Sequence, residues 1–133
     1  MTRKIALVLL AALFATASMS TFAGSSARPG KVLKGIASYY HDSLHGNKTA
    51  SGQTYNRNKM TAAHKTLPLG SKVQVTDVRT GKSIVVRVND RGPFVKGRII
   101  DLSRRAASKL GIIKRGTTRV RVKVLSVPGR RGA

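Results

Sequence analysis

Residues 119–127, RVRVKVLSV, alternate a cation with a valine three times in succession. Neighbouring side chains on an extended strand point to opposite faces, so Val120, Val122 and Val124 go one way and Arg119, Arg121 and Lys123 the other. A helix would scatter the same valines around its circumference and drag cations into the core. The segment is therefore a strand with one dry face and one wet one. Two further segments share the pattern. KVQVTDV (72–78) alternates Val73 and Val75 with polar residues. SIVVRVND (83–90) sets Ile84, Val86, Val88 and Asp90 on one face, with Val85, Arg87 and Asn89 on the other. Between them, VRTGKS puts Thr80-Gly81 where a hairpin turns. One short helix is expected: Ser103 caps RRAASKL (104–110), Gly111 stops it, and Ala106, Ala107 and Leu110 form a narrow buried stripe. A small, mostly β fold follows, closed into a barrel because closure leaves no strand edge exposed.

The first two dozen residues lie outside this pattern. MTRK is a basic start, IALVLLAALFA an apolar run, and Thr21-Phe22-Ala23 a small-residue cleavage tripeptide, with Ala15-Thr16-Ala17 as an earlier alternative. The run falls short of the ~20 residues of a membrane span, so a signal peptide over 1–23 is expected, and with it export without a stable membrane anchor. GSSARPGKVLK (24–34) is small, polar and proline-containing, a linker. The folded domain is expected over 35–127, with PGRRGA (128–133) as a frayed basic tail.

Against 26 Lys and Arg the chain has four acids, all aspartate, for a formal charge of +22. Removing the leader takes away Arg3 and Lys4 and leaves +20. Such a field draws polyanions. For an exported protein these are anionic envelope polymers rather than nucleic acid; the alternative is a solvated basic surface. The absence of cysteine excludes disulfides, thiolate metal sites, a thiol nucleophile and a lipid-modified cysteine. His41 and His45 have the i, i+4 spacing of a metal pair, but YYHDSLHGN is not helical text, so no metal is expected.

With charge this scarce, two aspartates in one segment, RVNDRGPFVKGRIIDLS (87–103), call for a reason. Asp90 suits either a turn before Arg-Gly-Pro or chemistry. Asp101 suits either the start of the 103–110 helix, where negative charge is favoured, or chemistry. The segments GIASYY (35–40), TASG (49–52), TAAH (61–64), LPLG (67–70), NDRGPF (89–94) and GRIIDLS (97–103), in this order, closely resemble the RlpA family, named for rare lipoprotein A. The resemblance covers roughly residues 35–127. It implies a six-stranded double-psi β-barrel of the RlpA, expansin and barwin kind, with one or two short helices. It also implies a lytic transglycosylase of peptidoglycan glycan strands, needing no cofactor. Asp90 corresponds to the family's essential acid and His64 to its site histidine. Gln53, Asn89, Arg91 and Tyr39 are expected to bind substrate or support the acid.

The sequence departs from the family's pattern, first at the position of a catalytic acid. Where characterised members carry a second acid after ASG, this chain has Gln53, whose amide exchanges hydrogen bonds but not protons. Glycoside hydrolysis normally takes two carboxyl groups. A lytic transglycosylase uses no water: the muramic acid's own C6 hydroxyl attacks C1, and one carboxyl group can serve as acid and then base. The chain also has no lipobox cysteine, so it is not expected to be a lipoprotein. The IIDLS segment is similar to the FDL element of plant expansins and barrel endoglucanases, which keeps Asp101 open as the acid. Tyr39, Tyr40 and Tyr55 offer ring faces to sugars or pack the barrel. Three readings result: a transglycosylase acting through Asp90, an expansin-like module that grips glycan without cutting it, and a basic scaffold for anionic polymers.

Overall fold

The valine alternation closes a barrel. In a computed structural model describing residues 27–129, six strands form: β1 (Val32–Tyr39), β2 (Thr61–Ala63), β3 (Lys72–Asp77), β4 (Ser83–Asp90), β5 (Arg98–Leu102) and β6 (Thr118–Ser126). The leader expected over 1–23 and most of the expected tail lie outside the described residues. The strands pair in the order β1-β5-β2-β4-β3-β6, and β6 closes back on β1. β1 and β5 run parallel, as do β2 and β4; the other pairs are antiparallel. β1 takes in residues 32–34, which read as linker, because Val32, Leu33 and Lys34 find partners in Lys123, Val122 and Arg121 of β6.

The inward valines fill the barrel. Val73, Val75, Val86, Val88, Val120, Val122 and Val124 are all at most 1% exposed and pack with Ile100, Leu102, Ala37 and Ala62. Each buried valine contributes roughly 1.5–3 kcal/mol of transfer free energy. Gly35 sits mid-strand in β1, where a Cβ would come within 2.5 Å of the Ile99 side chain, so only glycine lets β5 approach this closely. The hairpin at Gly81 forms as read, with Gly81 at φ 81°. Helix α1 (Arg104–Leu110) also forms as read. Ser103 Oγ accepts from the Ala106 N–H at 3.2 Å, Gly111 is left-handed at φ 85°, and Ala106, Ala107 and Leu110 are buried against the barrel.

The alternation of β4 breaks near its end, and this break places the site. Ala62 on β2 is level with Val88 on β4, but the next residue, Ala63, is level with Asp90. Asn89 is thus the extra residue of a β-bulge, where two residues oppose one. A one-residue slip exchanges the two faces of a strand. The sequence pattern put Asp90 with Ile84, Val86 and Val88 in the interior. The bulge instead brings it out beside Ala63 in an external groove.

Candidate active site

Ala63 pairs with Asp90 on one side and with Asp101 of β5 on the other. Both carboxylates and Ala63 line one groove of about 400 Å³. The two backbones are two strand spacings apart, roughly 9–10 Å. The small Ala63 side chain, only 2% exposed, lies between them. Beneath it Tyr40 and Tyr55 stack, ring centroids 4.2 Å apart and planes 12° from parallel, and with Ala63 they form a second, smaller apolar cluster. The Tyr55 hydroxyl accepts from the Arg104 N–H at 3.1 Å, tying this floor to the helix.

Asp90 is held from three directions. Its Oδ1 accepts the N–H of Ala50 at 2.8 Å and of Arg91 at 2.9 Å, and its Oδ2 accepts the Tyr40 hydroxyl. Burial, and then the hydrogen bond to Asp90, push the Tyr40 phenol above the ordinary tyrosine range, so it remains a neutral donor. Ala50 arrives on the TASG turn. The Thr49 N–H and Oγ1 both donate to Gln53 O, at 2.8 and 2.7 Å, and the Ser51 N–H donates to Asn89 O at 3.2 Å. The turn is therefore docked on the bulge. Two backbone N–H groups occupy Oδ1, and Oδ2 has the Tyr40 hydroxyl as its one side-chain partner among the described residues.

Asp101 has other partners. It accepts from Ser38 Oγ of β1, and Arg98 Nη2 lies 3.4 Å from its Oδ1. Among the described residues it bonds no amide of the helix, whose first N–H groups go to Tyr55, Arg57 and Ser103 instead, so Asp101 belongs to the groove. Arg91 works away from the groove through its side chain: its Nη1 donates to His64 O at 3.1 Å and Leu67 O at 2.6 Å. His64 does not face the carboxylates through its ring. Its Nδ1 accepts the N–H groups of Thr66 and Leu67, both at 3.1 Å, and its own N–H donates to Asp90 O at 3.0 Å. Burial first, then the charges of Arg91 and Lys65, lower the imidazole to about 4, which keeps Nδ1 an acceptor. His64 and Arg91 thus brace the turn that carries Asp90.

Tyr39 lines the groove and donates its hydroxyl to Ile113 O at 2.9 Å. Tyr40 and Tyr55, read as possible sugar platforms or barrel packing, are 8% and 1% exposed and stack on each other as packing. Gln53 and Asn89 stand apart from Asp90, in a neighbouring cleft, where Asn89 Nδ2 donates to Gln53 Oε1 at 3.2 Å. His41 Nδ1 accepts the Ser43 N–H of a 3-10 turn and His45 Nδ1 the Arg57 N–H, both at 3.1 Å. Among the described residues no three His, Cys, Asp or Glu side chains gather in a metal-binding group.

Sequence reasoning missed Ala63, Ser38, Arg98 and Phe94. Phe94 is 79% exposed on the groove wall. Its signal was legible: an aromatic directly after a Gly-Pro turn has no strand to bury it. Ala63 and Ser38 depend on cross-strand register and left no local trace, whereas Arg98 stands three residues from Asp101 on the same strand, a spacing the sequence displays.

The sequence model of the lytic transglycolase family matches residues 32–122. An endolytic peptidoglycan transglycosylase RlpA of Pasteurella multocida is 60% identical over 93 residues, covering 70% of this chain and 32% of that protein. Its counterpart in Neisseria meningitidis serogroup A is 54% identical over 95 residues, 71% of this chain and 39% of that one. A probable endolytic peptidoglycan transglycosylase RlpA of Synechocystis is 45% identical over 119 residues, 90% of this chain and 37% of that one. The chain spans about a third of the length of these relatives. Among solved structures, a Streptomyces papain inhibitor superposes with a TM-score of 0.61 at 26% identity, covering 74% of this chain and 98% of that one. An expansin of Clavibacter michiganensis gives 0.57 at 22%, covering 77% and 52%, and supports the double-psi barrel fold. Matched from β1 into β6 and close in sequence to the RlpA transglycosylases, the chain belongs to the lytic transglycolase family.

Proposed function

We propose that this domain is a lytic transglycosylase that cleaves the MurNAc–GlcNAc bond of peptidoglycan glycan strands through Asp90. The observation that carries the reading is a groove with Asp90 and Asp101 on either side of Ala63, Asp90 being oriented by three donors. With a glycan laid across Ala63, Asp90 Oδ2 gives its proton to the leaving GlcNAc O4 as the C1–O4 bond breaks. The muramic acid O6 attacks C1, and its proton passes to the same Oδ2. The carboxyl group ends as it began, no water enters, and the product is a 1,6-anhydro sugar. Asp101, held by Ser38 and Arg98, presents negative charge to the oxocarbenium-like centre across the groove. Phe94 offers its exposed ring to an apolar sugar face. His64 and Arg91 support this arrangement from behind, and Tyr39 walls the groove.

The leader over 1–23 supports export to the periplasm or beyond, where the substrate lies, and the basic surface supports contact with anionic envelope polymers. A non-catalytic, glycan-gripping reading draws on one observation, the neutral Gln53–Asn89 pair beside the groove. The test is to incubate the domain with peptidoglycan stripped of peptides and search for anhydro-ended glycans by mass spectrometry. Product formation that is lost in Asp90→Asn supports the proposal. Folded wild-type protein that binds glycan and yields no product leaves the gripping module, and activity surviving in Asp90→Asn but not in Asp101→Asn moves the acid to Asp101.

A further inference from the structure

Beside the Asp90 groove lies a larger cleft of about 720 Å³ that the cleavage step does not use. It is lined by His45, Gln53, Tyr55, Lys59, Arg87 and Asn89, among others, and by none of the four aspartates. Asn89, the bulge residue, is 6% exposed, and its Nδ2 is spent on Gln53 Oε1. This bond leaves the Gln53 amide nitrogen, a two-proton donor, without an acceptor among the described residues. Arg87 uses Nη1 on Gly70 O at 2.9 Å, leaving Nη2 likewise without one. Neither Lys59 nor Arg87 is ion-paired among the described residues, where the salt bridges are Arg98–Asp101, Arg104–Asp42 and Arg115–Asp77. Gln53, Lys59 and Arg87 are all exposed, so this concave site presents two unpaired cations and an amide donor, with no carboxylate, to an anion arriving from solvent. The bulge makes it contiguous with the chemistry, because Asn89 faces this cleft while Asp90, the next residue, faces the groove.

We infer that this cleft is a carboxylate-recognising subsite for an acidic glycan, in which Lys59, Arg87 and the Gln53 amide receive a carboxylate one or more sugars away from Asp90. The inference rests on the glycan reading above. The carboxylate can belong to the lactyl ether of a muramic acid or to a peptide attached to it; the recognition chemistry is the same.

The test reads binding, with Asp90→Asn as background so that nothing is turned over. Calorimetric affinities are compared for three ligands of equal sugar number: chitin oligosaccharide, peptide-free peptidoglycan oligosaccharide and its peptide-bearing form. The acidic glycan should bind at least tenfold more tightly than the chitin oligosaccharide at low salt, and the advantage should shrink as salt rises. Lys59→Gln and Arg87→Gln should each remove most of the advantage, Arg87→Lys should retain part of it, and Gln53→Glu should abolish it by repulsion. Tighter binding of the peptide-free form assigns the carboxylate to the sugar, and tighter binding of the peptide-bearing form alone assigns it to the peptide. Equal affinity for acidic and neutral glycans, or an advantage indifferent to Lys59 and Arg87, overturns the inference while leaving cleavage untouched. Conversely, wild-type protein that makes no anhydro product but keeps the tenfold preference removes the cleavage reading and leaves this one standing.

Discussion

Tyr40→Phe isolates what the floor of the groove does for Asp90. The substitution deletes the hydroxyl that donates to Oδ2 and keeps the ring that stacks on Tyr55 at 4.2 Å. A hydrogen bond to a charged group is worth about 1.5–3 kcal/mol. The two N–H bonds from Ala50 and Arg91 remain on Oδ1, so the carboxylate stays in place but Oδ2 loses its donor. If that bond serves the transition state, the loss converts to roughly 10–100-fold in rate at 1.36 kcal/mol per decade. The assay is the initial rate of anhydro-ended product on peptide-free glycan, with glycan affinity and a thermal melt measured on the same preparation. Affinity should change less than twofold, because Tyr40 is buried and its hydroxyl is spent on Asp90. A rate within twofold of wild type, with the fold intact, refutes the reasoning, since Tyr40 would then be packing alone.

Acid should unfold the domain early. Histidine 64 titrates at 6.5 when unfolded and at about 4 when folded, so the unfolded chain binds the extra proton first. Stability is complete above about 6.5 and falls as pH drops toward 4, by up to about 3 kcal/mol. His64→Asn, whose side-chain oxygen can accept the same two N–H groups, should flatten that decline in urea midpoints measured across the range. Asp77 is wholly buried and accepts from Arg115 at 2.9 Å, Thr118 at 3.0 Å and the Arg79 N–H at 2.8 Å. Burial opposes its charge, yet these donors hold its carboxyl below the ordinary value, so Asp77→Ala should cost about 3 kcal/mol in urea unfolding by stranding Arg115 and Thr118. Ala63→Leu, which forces a larger side chain into a buried position against Tyr40 and Tyr55, should cost about 1–3 kcal/mol in urea unfolding and weaken glycan binding at least tenfold by pushing into the groove between the carboxylates.

How much of this could be read from the sequence depends on whether the cause was local. The strands at 72–77, 83–90 and 118–126, the turn at Gly81 and the Ser103-to-Gly111 helix were legible, because alternation, a turn glycine and caps act within a few residues. Parallel pairing of β1 with β5 and of β2 with β4 leaves no such mark; there the family resemblance supplied what periodicity lacked. At the site, the motif pointed to Asp90, but perfect alternation pointed it inward. The bulge at Asn89 arises from pairing with Ala62 and Ala63, more than twenty residues away in the chain, so no reading of SIVVRVND alone could contain it. The same holds for His64, whose ring turned out to hold the 64–67 turn while its backbone N–H reaches Asp90 O.

The fate of water at the cleaved bond tests the central claim most directly. Peptide-free glycan digested in heavy-oxygen water should yield ends lighter by one water than a hydrolysed end and free of heavy oxygen, and Asp90→Asn should yield none of them. Ends that carry heavy oxygen, or anhydro ends that persist in Asp90→Asn, would contradict a single carboxyl group working with the sugar's own hydroxyl.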